Sequence, residues 1–454
     1  MIETINPATG AVLERYPTES PASVLGKVEE ADRAFRELAA ASFPSRARGL
    51  KSMADQLEKE AEDLARLATL EMGKPLAESR AEIEKCARVC RHFAEAGAAY
   101  LEPEVIESPG QPPVEVHCRP LGVVLLIMPW NYPFWQVIRA AIPILAGGNT
   151  VLLKHASKVT GSALALENIF ARSSLPSGSF HTLILPPDQL ESIIGHPSVI
   201  GVSFTGSTRT GKKVAARASW NMKRTVCELG GSDPYLVFAD ADLGKVAGIC
   251  ARSRLVNNGQ SCIAAKRFIV ETSAYTEFVE LLRLEMEAYP HGDPTDPQSK
   301  RGPLSGRAER EELHQQVRRS IEKGAECLLG GEIPAGDGAY YPATLLGQCP
   351  PGSPAFKEET FGPVAAVVGA DDEDEMVTLA NRNSFGLGGA VFTADPERAR
   401  RLAVERLQCG IVGVNRAAVS AAHYPFGGIK DSGLGRELGK EGLRAFCNLK
   451  TILR

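Results

Sequence analysis

Between Val123 and Phe204 the chain alternates short, almost wholly apolar runs with stretches of helical periodicity, and this alternation restricts the fold more than any other feature. The runs are Val123–Ile127, Thr150–Leu153, His181–Leu185 and Gly201–Phe204, with one helix predicted after Pro133 and another near 160–173. Strands that take turns with helices in this way form a parallel sheet covered by helices. A second strand–helix series starts at Tyr235–Phe238 and runs through Phe268–Val270 to about Val412–Val414, with Gly230-Gly231 as the hinge between the two. Upstream, 22–41, 45–72 and 75–101 read as helices, the last two separated by Gly73-Lys74-Pro75. Within 103–119 the pattern changes: Val114, Val116 and Cys118 alternate with Glu115 and His117, as in a strand with one polar face and half of an extended hairpin. The segment Cys447–Leu453 is expected to be a final strand pairing with that ribbon.

A length of 454 residues gives room for about two or three domains. The formal net charge of -4 is small for that size and the basic residues are spread, so neither nucleic acid nor an anionic membrane is an expected partner. The first residues lack the basic and apolar regions of a secretory signal, and the apolar stretch Leu121 to Trp130 is far too short to cross a bilayer. A cytoplasmic location is the expectation.

The ten cysteines are scattered without a CxxC pair, which points to reduced thiols and to no metal site. Cys86 and Cys90, four apart on a helical pattern near His92, fit ordinary helix packing. Cys262 stands apart, because it closes the stretch Asn257-Asn258-Gly259-Gln260-Ser261-Cys262. Glycine lets the backbone run close to a ligand, Gln260 and Ser261 leave the thiol uncrowded, and a thiol in a polar, accessible setting can ionise to its reactive form. Cys227-Glu228-Leu229-Gly230-Gly231 and Met128-Pro129-Trp130-Asn131-Tyr132-Pro133 add a carboxylate and a carboxamide beside Gly or Pro punctuation. Together the three read as nucleophile (Cys262), base (Glu228) and oxyanion donor (Asn131). Taken singly, Asn131 also suits a turn or helix cap, and Glu228 an ion pair.

These segments occur together with Asn6-Pro7-Ala8-Thr9-Gly10, Glu71-Met72-Gly73-Lys74-Pro75 and Phe204-Thr205-Gly206-Ser207. Glu358-Glu359-Thr360-Phe361-Gly362-Pro363, Pro425-Phe426-Gly427-Gly428 and Gly435-Arg436-Glu437 follow in order. Along nearly its whole length the chain thereby resembles the aldehyde dehydrogenase superfamily. Gly230-Gly231-Ser232-Asp233-Pro234, Lys154-His155-Ala156 and Ala264-Ala265-Lys266-Arg267-Phe268 resemble its short bacterial NAD(P)-dependent succinate-semialdehyde dehydrogenases.

The resemblance implies an α/β architecture in three parts. These are a Rossmann-like cofactor domain over 1–101 and 121–229, an α/β catalytic domain over 230–430, and a small β oligomerisation element with the C-terminal segment over 102–120 and 431–454. Assembly as a homodimer or homotetramer goes with it. The cofactor is expected to be NAD or NADP and the substrate a small aldehyde. Gly206 and Gly211 lie five apart between a strand and a helix whose N-terminus suits a pyrophosphate, and Ser207 matches the phosphate-contacting hydroxyl. Lys154 matches a ribose contact, Glu359 and Phe361 match contacts to the nicotinamide ribose and ring, and Trp130 and Leu229 complete the set. Ser157 stands where NAD-preferring members often carry a glutamate, and with His155 and Lys158 close by it would accept a 2′-phosphate.

In the implied chemistry, Cys262 adds to the aldehyde while Asn131 and the Cys262 N–H hold the alkoxide. Hydride then passes to the nicotinamide, and Glu228 activates the water that opens the thioester, with Glu437 in a supporting role. A helix starting near Pro133 puts Tyr132, Trp135, Gln136 and Arg139 on one face, which in the family lines the aldehyde tunnel. Arg139 matches an arginine that binds a distal carboxylate, and Val256 stands where a second such arginine is common. Ser261, Ser420 and Phe426 complete the expected substrate contacts, with His423 an alternative in the same loop and Arg139 open to a structural pairing instead. Glutarate semialdehyde or an aliphatic aldehyde is the alternative substrate, and an inactive homologue is the alternative from outside enzymes.

Overall fold

The computed structural model describes residues 1–186 and 189–453. Val123–Met128 is buried at every residue, as a strand covered on both faces must be, and it lies in the middle of a six-stranded sheet. On one side Thr150–His155 and then Phe180–Thr182 follow it; on the other lie Val199–Thr205 and Arg224–Glu228. All five run parallel, and Gly433–Leu434 adds an antiparallel edge beside Arg224–Glu228. The chain thus lays strands outward in one direction, then returns past the first strand to lay the rest. That reversal leaves a crevice beyond the carboxyl ends of Val123–Met128 and Val199–Thr205. The predicted strand His181–Leu185 is shorter than expected and displaced by one residue.

A seven-stranded sheet holds the second series, in the order Glu326–Leu329, Thr344–Gly347, Val364–Ala370, Ala265–Glu271, Asp233–Val237, Gly388–Phe392 and Ile411–Val414. It is parallel except for the antiparallel edge Glu326–Leu329. The α/β architecture expected from the sequence is therefore present, with two parallel sheets and helices packed against them.

Helices Pro21–Ala40, Phe43–Lys59, Ala61–Met72 and Leu76–Leu101 precede the first sheet. The predicted helix 45–72 is thus two, broken at Glu60, where ψ moves to 14°. The break buries Leu57 and Leu64 together in the first core, without a Gly or Pro to mark it. Trp135–Ala146 is buried along all its residues and starts two positions after Pro133, later than predicted. Its first N–H groups are taken by Glu82: Phe134 N and Trp135 N donate to one carboxylate oxygen at 2.9 and 2.8 Å. Cys86 and Cys90 bury in the same core, while His92 turns to the Tyr100 hydroxyl at 3.1 Å.

Residues 104–120 hold both strands of a hairpin, Glu104–Ile106 and Val114–Pro120, and Cys447–Ile452 pairs antiparallel with the second. Among the described residues no helix is long and apolar enough to cross a membrane.

Candidate active site

Segments after the carboxyl ends of first-sheet strands and segments before the amino ends of second-sheet strands converge on one cavity of about 280 Å³. Trp130, Asn131, Gly206, Ser207 and Leu229 come from the first set, and Cys262, Glu359 and Phe361 from the second. A separate cavity of about 200 Å³ is lined by Tyr132, Trp135, Arg139, Ser420 and Phe426, together with Glu78, Glu82, Lys85, Val256 and Ile263. Cys262 and Gln136 border both, so the thiol stands at their junction.

The approach to Cys262 is an unusual piece of backbone. Asn257, Asn258 and Gly259 have φ of 53°, 56° and 77°, three successive left-handed residues. Asparagine tolerates that region better than most side chains. At Gly259 a Cβ would fall 2.3 Å from the carbonyl carbon of Gly362, so glycine is required there by a neighbouring backbone rather than by a ligand. The polar side chains of the run act as fasteners. Asn257 Nδ2 donates to the Asn131 carbonyl (2.6 Å), and Asn258 Nδ2 donates to the Pro303 carbonyl (2.7 Å). Gln260 Oε1 accepts from Ser305 N at 2.9 Å. Gln260 and Ser261 are thus buried supports instead of the open surroundings expected, and Ser261 lines neither cavity. After Cys262, Lys266 Nζ donates to the carbonyls of Ser261 and Cys262 at 3.1 and 2.7 Å and closes the turn.

Burial pushes the Cys262 thiol up to about 12, against the opposing pull of Arg139 and Lys266. Glu228 ends its strand with both carboxylate oxygens buried and without hydrogen-bond partners, and it lines neither cavity. Burial, reinforced by Glu437, holds its carboxyl well above the usual carboxylate range. The Cys262 thiol is therefore protonated in the free protein near pH 7, and burial favours the protonated form of the Glu228 carboxyl. The Asn131 side chain donates to the Gln260 carbonyl at 3.0 Å, which fixes its amide and leaves its second N–H for a ligand.

The first cavity suits a dinucleotide. Ser207 caps the 13-residue helix Thr208–Trp220 by accepting from Thr210 N, so a positive helix end faces the crevice. Trp130 and Phe361 meet edge to face at 5.6 Å. Glu359 accepts from Gly231 N at 2.9 Å, and a Cβ on Gly230 would lie 2.5 Å from its other oxygen. The glycine pair read as a hinge is where this carboxylate rests on the backbone. Lys154 and Ser157 lie outside the cavity lining. His155 does not face a phosphate: its ring is buried between the Met128 and Pro133 carbonyls, and burial lowers its pKa to about 4. Lys158 Nζ meets Glu309 at 2.5 Å.

In the second cavity Arg139 forms a buried ion pair with Glu437 and lies over the Phe426 ring at 4.9 Å. His423 is outside the lining and packs on His92 and Tyr424. Lys85, Glu78 and Glu82 were not foreseen. They sit at helical spacing on Leu76–Leu101, and a charged face on such a helix ordinarily reads as solvated.

The aldehyde dehydrogenase family profile matches residues 1–452. A succinate-semialdehyde dehydrogenase (NADP+) of Deinococcus radiodurans is 44% identical over 99% of this chain and 94% of its own length. A probable succinate-semialdehyde dehydrogenase (NADP+) of Synechocystis is 41% identical over 99% of both chains. The crystal structure of succinic semialdehyde dehydrogenase from Streptococcus pyogenes, in complex with NADP+ as the cofactor, is 31% identical, covers 100% of both chains and superposes with a TM-score of 0.97. With a thiol between two cavities, and with family and relatives matched along its length, the chain belongs to the aldehyde dehydrogenase family.

Proposed function

We propose that this aldehyde dehydrogenase oxidises succinate semialdehyde to succinate, with NADP or NAD as its cofactor. One observation carries the reading: Cys262 borders both a crevice suited to a dinucleotide and a short cavity that is apolar apart from a few charged groups. The names of the relatives point to the same substrate.

Cys262 loses its thiol proton to solvent, its Sγ bonds to the aldehyde carbon as the carbonyl π pair moves onto oxygen, and that oxyanion accepts from the Asn131 amide and the Cys262 N–H. When bound, the cofactor supplies a positive charge beside the thiol and the acceptor for the hydrogen leaving that carbon. The acyl group then stays on Cys262 as a thioester. Glu228 turns out of its buried seat, takes a proton from water, and the water opens the thioester. Trp130, Gly206, Ser207, Leu229, Glu359 and Phe361 hold the cofactor, with Lys154 and Ser157 toward its adenosine end; Ser157 carries no charge to repel a 2′-phosphate. Tyr132, Trp135 and Phe426 form the walls around the substrate chain. The domains divide as 1–101 with 121–229, 230–430, and 102–120 with 431–454. The protein works in the cytoplasm as a homodimer or homotetramer, a reading supported by the exposed Val105, Ile106 and Leu449 of the ribbon.

Steady-state reduction of NAD and NADP with succinate semialdehyde, glutarate semialdehyde and hexanal tests this. We expect kcat/KM for succinate semialdehyde about 100-fold above hexanal, as about two charge-assisted hydrogen bonds would give. Equal or better turnover of hexanal overturns the substrate.

A further inference from the structure

The second cavity brings four acidic or basic side chains around the carbon chain of a substrate: Glu78, Glu82, Lys85 and Arg139. Three are already matched. Glu82 pairs with the buried Lys74 and accepts from Phe134 N and Trp135 N. Arg139 pairs with Glu437. Glu78 accepts from Asn257 N at 2.7 Å, and burial raises its pKa to about 7, so much of it is neutral at physiological pH.

Lys85 is different. Its Nζ is turned inward, donating to Ser420 Oγ at 2.9 Å and lying 3.8 Å from the centre of the Trp135 ring. Both partners are uncharged, and among the described residues no carboxylate pairs with it. An ammonium has three N–H donors, and one is used. Burial, reinforced by Arg139 and only partly opposed by Cys86 and Glu82, lowers its pKa to about 8.

We propose that Lys85, assisted by Ser420, is the residue that selects the substrate, by binding a single carboxylate at the end of the aldehyde chain remote from the reacting carbon. This rests on the reading of the protein as an oxidiser of succinate semialdehyde and names the group that recognises it. Arg139 becomes a positioning residue, tied to Glu437 beside the cavity. Arg139, already paired with Glu437, is the one other cation in this lining. At about 200 Å³ the space falls below that of drug-sized ligand sites (roughly 300–1,000 Å³) and fits a short chain.

Kinetics of the intact enzyme with succinate semialdehyde and with butanal test the assignment. Lys85→Met is expected to lower the ratio of the two kcat/KM values about 10- to 100-fold, the loss of one charge-assisted hydrogen bond, carried by KM rather than kcat. Lys85→Arg restores most of the ratio. Succinate, as a competitive inhibitor of butanal oxidation, weakens by a similar factor in Lys85→Met and reports binding apart from chemistry. Lys85→Gln keeps a donor toward Ser420 and repeats the test if the methionine variant does not fold. Wild-type enzyme without preference for succinate semialdehyde over butanal overturns the substrate reading beneath the proposal. A wild type that prefers it, with Lys85 variants that keep both the ratio and the succinate inhibition, overturns the role of Lys85 alone.

Discussion

At the scale of single residues the thiol sets the pH behaviour. Burial favours the neutral form of Cys262, raising its pKa to about 12, so the thiolate fraction in the free protein grows about tenfold per pH unit from 7 to 10. Alkylation of Cys262 by iodoacetamide, followed by mass spectrometry of the modified peptide, should rise with that slope and show no plateau. A plateau below pH 8 would mean that the resting thiol is ionised by a neighbour. This cysteine was legible because small and amide residues, Asn257-Asn258-Gly259-Gln260-Ser261, precede it and the Glu228 and Asn131 segments accompany it. What those residues do was not legible: their partners Gly73, Asn131, Pro303 and Ser305 are remote in sequence. The same holds for Arg139, whose side chain is identified from the sequence but whose partner, Glu437, is almost 300 positions away.

Among the elements, the strands were the most legible. Val123–Met128 and Thr150–His155 are buried at every residue, and the apolar runs Val123–Met128 and Val151–Leu153 suit parallel strands covered on both faces. Helix ends were less so, because they answer to groups elsewhere in the chain. Glu82 determines where Trp135–Ala146 begins, and it also neutralises Lys74, which has no solvent exposure. Glu82→Ala leaves a buried ammonium uncompensated, a loss of about 3–5 kcal/mol. For a chain of 454 residues this corresponds to a Tm lower by about 3–5 °C in calorimetry. The double variant with Lys74→Met should recover part of it. A double variant less stable than Glu82→Ala would show that the ion pair is not the source of the loss.

For the whole molecule, the ribbon of Glu104–Ile106, Val114–Pro120 and Cys447–Ile452 exposes Val105, Ile106 and Leu449. Light scattering should give about two or four times the 48.6 kDa chain mass, and Leu449→Asp should shift it toward one. A wild-type mass of one chain would remove the ribbon from any role in assembly. The two-cavity plan also bears on descent. The backbone that presents Cys262 is pinned from several directions, so a change in it disturbs many contacts at once. Lys85, Val256 and Ser420 enter the second cavity from three separate segments, as side chains on backbones set by other contacts. A lineage can therefore exchange them one at a time, trying new aldehydes while the reaction itself is inherited unchanged.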